Sequence, residues 1–321
     1  MAWPLRATKQ LTHDDYTVAW ICALPHEKAA ARNMLDELHK SPPQPEHDKN
    51  IYTFGSICGH NVVIVCQGDA GTTVAATVAT RMDGTFRRLR FGLLVGIAGG
   101  VPEKEDIRLG DVVISKRDGF SGGVVAHDHG KVTSEGLQST PFLNGVPEVL
   151  RNAFNELSSR LMDEDCKIPI YIAEATARNP RFQHFHHPSL QDNLFKINYT
   201  HEGQGDGNCE NCKKDSEHLV ARTPRLTSSP VVHFGTIASG NHVIKDSTER
   251  AKIAAAHHGI LAIEMEAAGL MNVFGCATIR GICDYADSHK NDDWQNYAAA
   301  TAAACAKEVI GIIPVTSLAS K

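Results

Sequence analysis

Phe91-Gly92-Leu93-Leu94-Val95-Gly96-Ile97-Ala98-Gly99-Gly100 is an apolar run that ends in glycines, and its reading decides the fold. A short apolar run bounded by glycine fits a strand buried within a sheet. The theme also occurs just upstream. There a β-type run over residues 61–66 leads into Gly68-Asp69-Ala70-Gly71-Thr72-Thr73, followed by an alanine-rich stretch that continues to Met82. A glycine turn feeding a helix amino terminus after a strand is a place where a ligand can sit. Two glycine-rich strand ends are more than packing ordinarily requires.

Outward from this centre, strands and helices alternate. Residues 16–24 predict a strand, and Pro25 suits the first turn of the helix that begins with Glu27-Lys28-Ala29-Ala30-Ala31. Residues 51–58 and 61–66 flank Gly59-His60 as a hairpin. Leu109-Gly110-Asp111 opens a strand over 112–115. Residues 231–238, 261–263 and 278–282 predict further strands, residues 247–257 and 267–274 helices, and residues 294–312 a long alanine-rich helix. The alternation predicts an α/β fold: one domain over 14–316, a mixed central sheet flanked by helices on both faces, and sites at the carboxyl ends of strands. Residues 180–230 are polar and lack periodic apolar positions, and are expected to form an irregular surface insertion.

Composition narrows the function. With 42% hydrophobic and 21% charged residues, the 321-residue chain is ordinary for a folded soluble protein, which argues against disorder throughout. A net charge of −5 supplies no broad basic surface, so a nucleic-acid partner is not expected. The nine cysteines are scattered, and Cys22, Cys66, Cys276 and Cys283 lie in apolar runs where a reduced thiol behaves as a small hydrophobe. This predicts a reducing, cytoplasmic setting. No signal-peptide core and no apolar run of membrane-spanning length is present, so no membrane partner is expected.

Three acidic positions stand out. Ile263-Glu264-Met265-Glu266 places two carboxylates at the end of an apolar strand, just before a helix. A carboxylate there can accept hydrogen bonds from the adjacent hydroxyls of a ribose, or it can simply favour the helix dipole. Ile282-Cys283-Asp284-Tyr285-Ala286-Asp287 also puts acids at a strand end, as a general acid or as Asp side chains stabilising a turn. Glu27 lies at the same presumed sheet edge, where a helix acid is ordinarily solvated. Cys209-Glu210-Asn211-Cys212, with His184, His186, His187, His201 and His218 nearby, raises the question of a zinc clip. A structural zinc takes about four ligands and these spacings match no finger pattern, so no metal is assigned.

Taken together, these segments resemble the nucleoside phosphorylase and nucleosidase superfamily, most closely its fungal members, which occur alone or as the first domain of receptor-like proteins. The resemblance rests on Ile21-Cys22-Ala23-Leu24-Pro25-His26-Glu27, Gly68-Asp69-Ala70-Gly71, Val95-Gly96-Ile97-Ala98-Gly99-Gly100, Leu109-Gly110-Asp111-Val112-Val113, Ala238-Ser239-Gly240, Glu264-Met265-Glu266 and Cys283-Asp284. It implies that Glu266 binds the ribose hydroxyls with Met265 under the sugar, and that Asp284 protonates the purine at N7. Val243 and Ile244 would lie along the base, while Glu264, Asp69, Ala98 and Gly99 complete the substrate site. Hexameric phosphorylases of the superfamily carry an arginine before the Val-Gly of the glycine loop and a serine just after it. Here those places hold Leu94 and Ile97, so a phosphate would lose a positive partner and a hydroxyl donor.

Glu27 matches the glutamate that activates water in methylthioadenosine and adenosylhomocysteine nucleosidases, although Pro25 and His26 depart from that motif. His26 could instead face the 5′ end of the sugar. The resemblance thus implies a purine nucleosidase that uses water, requires no cofactor and assembles as a homo-oligomer. Its alternatives are a phosphorylase, with phosphate held by backbone amides of 68–73 or by Arg81 or Arg88, and a nucleoside-sensing module of a receptor-like protein. Adenosine, inosine, guanosine and methylthioadenosine all fit this residue set.

Overall fold

The structure is a computed structural model, and it describes residues 7, 9–119, 121–134, 136–139, 143–201, 209, 212 and 216–315. The chain begins with β1 (Lys9–Gln10), β2 (Val18–Cys22) and α1 (Pro25–Met34). Next come β3 (Glu37–Lys40), β4 (Tyr52–Ile57), β5 (His60–Cys66) and α2 (Thr72–Thr85). The glycine-ended run is strand throughout, as β6 (Phe91–Gly100), followed by β7 (Val112–Ser115), β8 (Val124–Ala126), β9 (Gly130–Thr133) and β10 (Gly136–Ser139). Helices α3 (Glu148–Arg160) and α4 (Ile168–Arg178) occupy a stretch to which the sequence reading gave no element. The carboxyl half comprises β11 (Val232–Gly235), β12 (Ile237–Ser239), α5 (Ser247–Ala256), β13 (Ala262–Glu264), α6 (Ala267–Leu270), β14 (Cys276–Asp284) and α7 (Gln295–Ile312).

Strand β6 is the spine. It pairs in parallel with β2 over its first half, in parallel with β14 over nearly its whole length, and antiparallel with β13 at Gly99 and Gly100. The sheet runs β1-β3-β4-β5-β2-β6-β13-β12-β8, with β14, β7 and β11 joined through β6. Because β5, β2, β6 and β14 are parallel to one another, their carboxyl ends open on one edge, where α/β sheets place their ligands.

Side chains alternate across the strands, and each face has its own cover. Val18, Trp20 and Cys22 face α1, α3, α4 and α7, whereas Ala19 and Ile21 face α2 and α6. This is why β2 and β14 are buried at every position rather than alternately. The alanine-rich composition of α7 follows from how closely it lies on the sheet: a Cβ on Gly281 would stand 1.9 Å from the Ala298 carbonyl oxygen.

Three details differ from the sequence reading. The hairpin turns on Cys58 and Gly59, both at positive φ (50° and 83°) as a two-residue turn of this hand requires, so His60 already belongs to β5. Residues 231–238 form two strands because β11 pairs with β7 whereas β12 pairs with β8 and β13. Helix α6 ends at Leu270 because the chain must turn before β14 starts at Cys276.

Within 180–230 the described residues form short 3-10 turns at Pro180–Phe185 and Ser216–His218 and a bridge between Phe195 and Leu219. Arg225 anchors the segment to the body by donating to both Asp111 oxygens, at 2.6 and 2.7 Å. No helix among the described residues is long and apolar enough to cross a membrane.

Candidate active site

At the carboxyl edge of the sheet lies a cavity of about 200 Å³, more than ten times the roughly 10–15 Å³ that one water needs. Residues from the ends of β2, β6, β13 and β14 line it, together with Glu27, Ala70, Val243, Ile244 and Lys290.

Glu27 is not a solvated helix residue. It occupies the first turn of α1 and is only 3% exposed. Its Oε2 accepts from the backbone N–H of Ala23 (2.7 Å) and Leu24 (2.9 Å), satisfying donors that a helix start leaves open. Its Oε1 accepts from the Ile97 N–H at 2.8 Å, across from β6. The carboxylate is thereby fixed in direction at the cavity wall.

The two acids of the Glu264-Met265-Glu266 segment are held differently. Glu264 serves the helix start, accepting from the N–H groups of Glu266 and Ala267 at 3.1 Å, and it also takes a short hydrogen bond from Arg280. Glu264 also lines the cavity while its oxygens are engaged within the protein. Glu266 faces the cavity. Arg280 Nη2 donates to its Oε2 at 2.9 Å, and the Gly71 N–H reaches its Oε1 at 3.4 Å.

Arg280, which the sequence reading missed, joins these acids. It lies on β14, is 1% exposed, and sits 3.9 Å from Glu27 while bonding Glu264 and Glu266. Burial works against its charge, but the carboxylates of Glu264, Glu266 and Glu27 outweigh it and raise its pKa. The available signal was a charged residue in the middle of an apolar strand, a position tolerated only with a partner. Gly96 makes the arrangement possible. It pairs with Arg280 across the sheet, and a Cβ there would lie 2.3 Å from Glu27 Oε1 and 2.4 Å from Arg280 Nη1.

Asp284 ends β14 on the other side of the cavity. Its Oδ1 accepts from the Ala286 N–H at 2.8 Å, and its Oδ2 takes a short ion pair from Lys290, a second residue the sequence reading did not single out. Burial would lower the Lys290 pKa, but Asp284 raises it further, so the lysine carries its proton. Gly99 leaves room here, since a Cβ would stand 2.9 Å from Asp284 Oδ1.

Met265, Val243, Ile244, Ala98 and Gly99 all line the cavity, as expected. Asp69 does not. It is exposed, and its neighbour Ala70 takes that place because the loop turns at Gly71, whose φ of +123° suits glycine. His26 also lies outside the lining.

The sequence matches the family model of the Phosphorylase superfamily over residues 17–313. It is 45% identical over 312 residues to a nucleotide-binding leucine-rich repeat (NLR)-like protein of Hyaloscypha variabilis, covering 96% of this chain but only 30% of that protein. A 5′-methylthioadenosine/S-adenosylhomocysteine nucleosidase of Mycobacterium bovis is 26% identical, with 93% of this chain and 97% of the relative covered. Among solved structures, the corresponding nucleosidase of Neisseria meningitidis in complex with methylthio-immucillin-A superposes with a TM-score of 0.60 at 19% identity, covering 92% and 99% of the two chains. A futalosine hydrolase of Helicobacter pylori gives 0.59 at 15%, covering 93% and 99%. At those identities the structural likeness is one of fold. The family match takes in every strand from β2 to β14 and every helix from α1 to α7, the whole described α/β body rather than one motif, and the chain belongs to the phosphorylase superfamily.

Proposed function

We propose that this chain is a purine nucleoside N-ribohydrolase, in which water held by Glu27 attacks the anomeric carbon as the base departs. The observation that carries the reading is the charge of the cavity wall. Glu27, Glu264 and Glu266 crowd around the one guanidinium of Arg280, so negative charge is in excess where a nucleophile would enter. A phosphate dianion would be repelled there, whereas neutral water is not.

Two amide donors that a phosphate could use are already engaged. The Gly71 N–H points to Glu266, and the Thr72 N–H donates to Asn241 at 3.1 Å. Arg81 lines a separate groove along α2, Arg88 is exposed, and Leu94 is buried in the core. The relatives named as nucleosidases support hydrolysis.

In this mechanism Glu266 accepts hydrogen bonds from the ribose hydroxyls above Met265. As the bond to the base lengthens, the sugar gains positive charge and the surplus carboxylates stabilise it. The Asp284–Lys290 pair delivers a proton to N7, so that the purine leaves as a neutral base. Glu27 orients the water opposite the leaving base and takes its proton, as inversion by water requires. The NLR-like relative, of which this chain spans 30%, favours placing such a unit within a receptor-like protein, where recognition of a nucleoside would be its output.

The test is release of free base from inosine, adenosine, guanosine and methylthioadenosine, with and without phosphate, while the sugar product is identified. Free sugar at a rate unchanged by phosphate is expected. Ribose 1-phosphate formed only with phosphate would restore the phosphorylase, and binding without turnover would leave the sensor.

A pH dependence follows as well. Burial raises the Glu266 pKa to about 7 despite Arg280, with Glu264 and Glu27 adding to the rise. A protonated Glu266 loses acceptor capacity for the ribose. kcat/KM is therefore expected to climb about tenfold per pH unit on the acid side and to level off above about 7. Glu266→Gln should lose this limb, and a flat wild-type profile through that range would exclude Glu266 as the ionisable ribose ligand.

A further inference from the structure

Outside the cavity, one cluster remains unexplained by nucleoside chemistry. One ligand-type atom each from His201, Cys212 and His289 lies within 4.8 Å of the others. Cys209 joins them, with its Sγ 3.3 Å from His201 Nδ1 and 3.6 Å from the His289 carbonyl, while Cys212 Sγ is 3.5 Å from the same His201 nitrogen. A tetrahedral zinc with Zn–S near 2.3 Å and Zn–N near 2.0–2.1 Å sets sulfur and nitrogen ligands about 3.6 Å apart. The two sulfur separations from His201 Nδ1 already approach that value.

His289 supplies the second, independent observation. It is 6% exposed, and neither ring nitrogen has a hydrogen-bond partner; its Nδ1 lies 3.8 Å from the Asp287 carboxylate. A buried imidazole left without partners is costly unless something else binds it. Phe195 stacks on this ring at 3.8 Å between centroids and holds it in place. The surroundings are apolar: Phe195, Cys209 and Cys212 form a small core of their own, with Tyr199 and Leu219 against it. So small a core is the kind that proteins reinforce with a metal.

We propose that Cys209, Cys212, His201 and His289 bind one structural zinc ion, which fastens the 180–230 segment to the loop after β14. Two thiolates and two neutral imidazoles around Zn²⁺ make a site with no net charge, suited to an apolar setting, and soft sulfur with imidazole selects zinc over calcium or magnesium. The fourth ligand explains why no finger pattern was legible: His289 comes from the body of the fold, far along the chain from the Cys-x-x-Cys pair. The sequence expectation of no metal is revised accordingly. His184, His186, His187 and His218 stay outside the cluster. His218 instead stacks on Tyr199 at 3.9 Å.

The test uses the full chain, free of any affinity tag and purified without added metal. Elemental analysis should find about one zinc per chain, and the Cys209→Ser/Cys212→Ser double variant should lose at least nine-tenths of it. Cobalt exchanged into the wild-type protein should give the visible bands and sulfur-to-cobalt charge transfer of a tetrahedral thiolate site, a readout that does not depend on any variant folding. His289→Ala should weaken retention of zinc during dialysis against a chelator by at least tenfold. Metal-free protein whose cysteines all titrate as thiols and which gives no cobalt spectrum would overturn the proposal. So would zinc retained in full by the double variant.

Discussion

Glu27→Gln is expected to lower kcat by about a thousandfold, within the 10²–10⁴ range for a lost general base, while a non-hydrolysable nucleoside analogue still binds within a few-fold of wild type. The geometry is the reason for both halves of this result. Glu27 is one of many residues lining the cavity, so binding survives its loss, but α1 carries no other carboxylate to replace it. A modest stability loss should accompany the effect. Both carboxylate oxygens now accept from backbone N–H groups: Ala23 and Leu24 on one, Ile97 on the other. A glutamine amide must turn its NH₂ toward one of these donor sets, at about 1–3 kcal/mol for the group left without an acceptor. Steady-state turnover, calorimetric binding and denaturant unfolding separate the three effects. Turnover within tenfold of wild type would remove Glu27 from the chemistry.

Much of this was legible in the sequence, for identifiable reasons. The glycine-ended run of β6 could be read as a buried strand because its apolar length and its boundary are local properties. Glu266 and Asp284 could be noticed because acids at strand ends are a local property, whereas Glu27 reads as an ordinary helix acid until the resemblance of its motif singles it out. What escaped depends on neighbours that sequence does not give. Arg280 looks like an isolated charge until strand pairing sets it opposite Gly96, whose missing side chain makes room for it and Glu27. Glu264 and Glu266 are indistinguishable by spacing, and only the path of α6 decides which one satisfies the helix start. Asp69 missed the cavity by one residue because the loop conformation around Gly71, not composition, chooses what faces inward. His289 and the Cys-x-x-Cys pair are separated along the chain and meet only because the polar segment folds back over the end of β14.

Arg280→Met should be the most destabilising single change at the site, by about 3–5 kcal/mol near neutral pH, because it leaves buried carboxylates without their counter-charge. Methionine fills much of the arginine stem's volume, so the loss reports charge rather than a cavity. The sign of the pH dependence distinguishes this from a packing defect. Without Arg280, burial and the neighbouring carboxylates raise the Glu266 pKa still further above its unfolded value. Glu266 then binds its proton more tightly in the folded state, and stability falls as pH rises from the unfolded carboxyl range through the raised folded value. The variant should therefore approach wild-type stability at about pH 5 and diverge from it toward pH 8. Adding Glu264→Gln to Arg280→Met removes one of the crowded charges and should recover part of the loss at high pH but little at low pH. Denaturant unfolding of the wild type, the single variant and the double variant at both pH values measures this directly. A loss independent of pH and untouched by the second substitution would mean that Arg280 fills space and that the surplus of negative charge, on which the preference for water over phosphate rests, is not sustained in the folded protein.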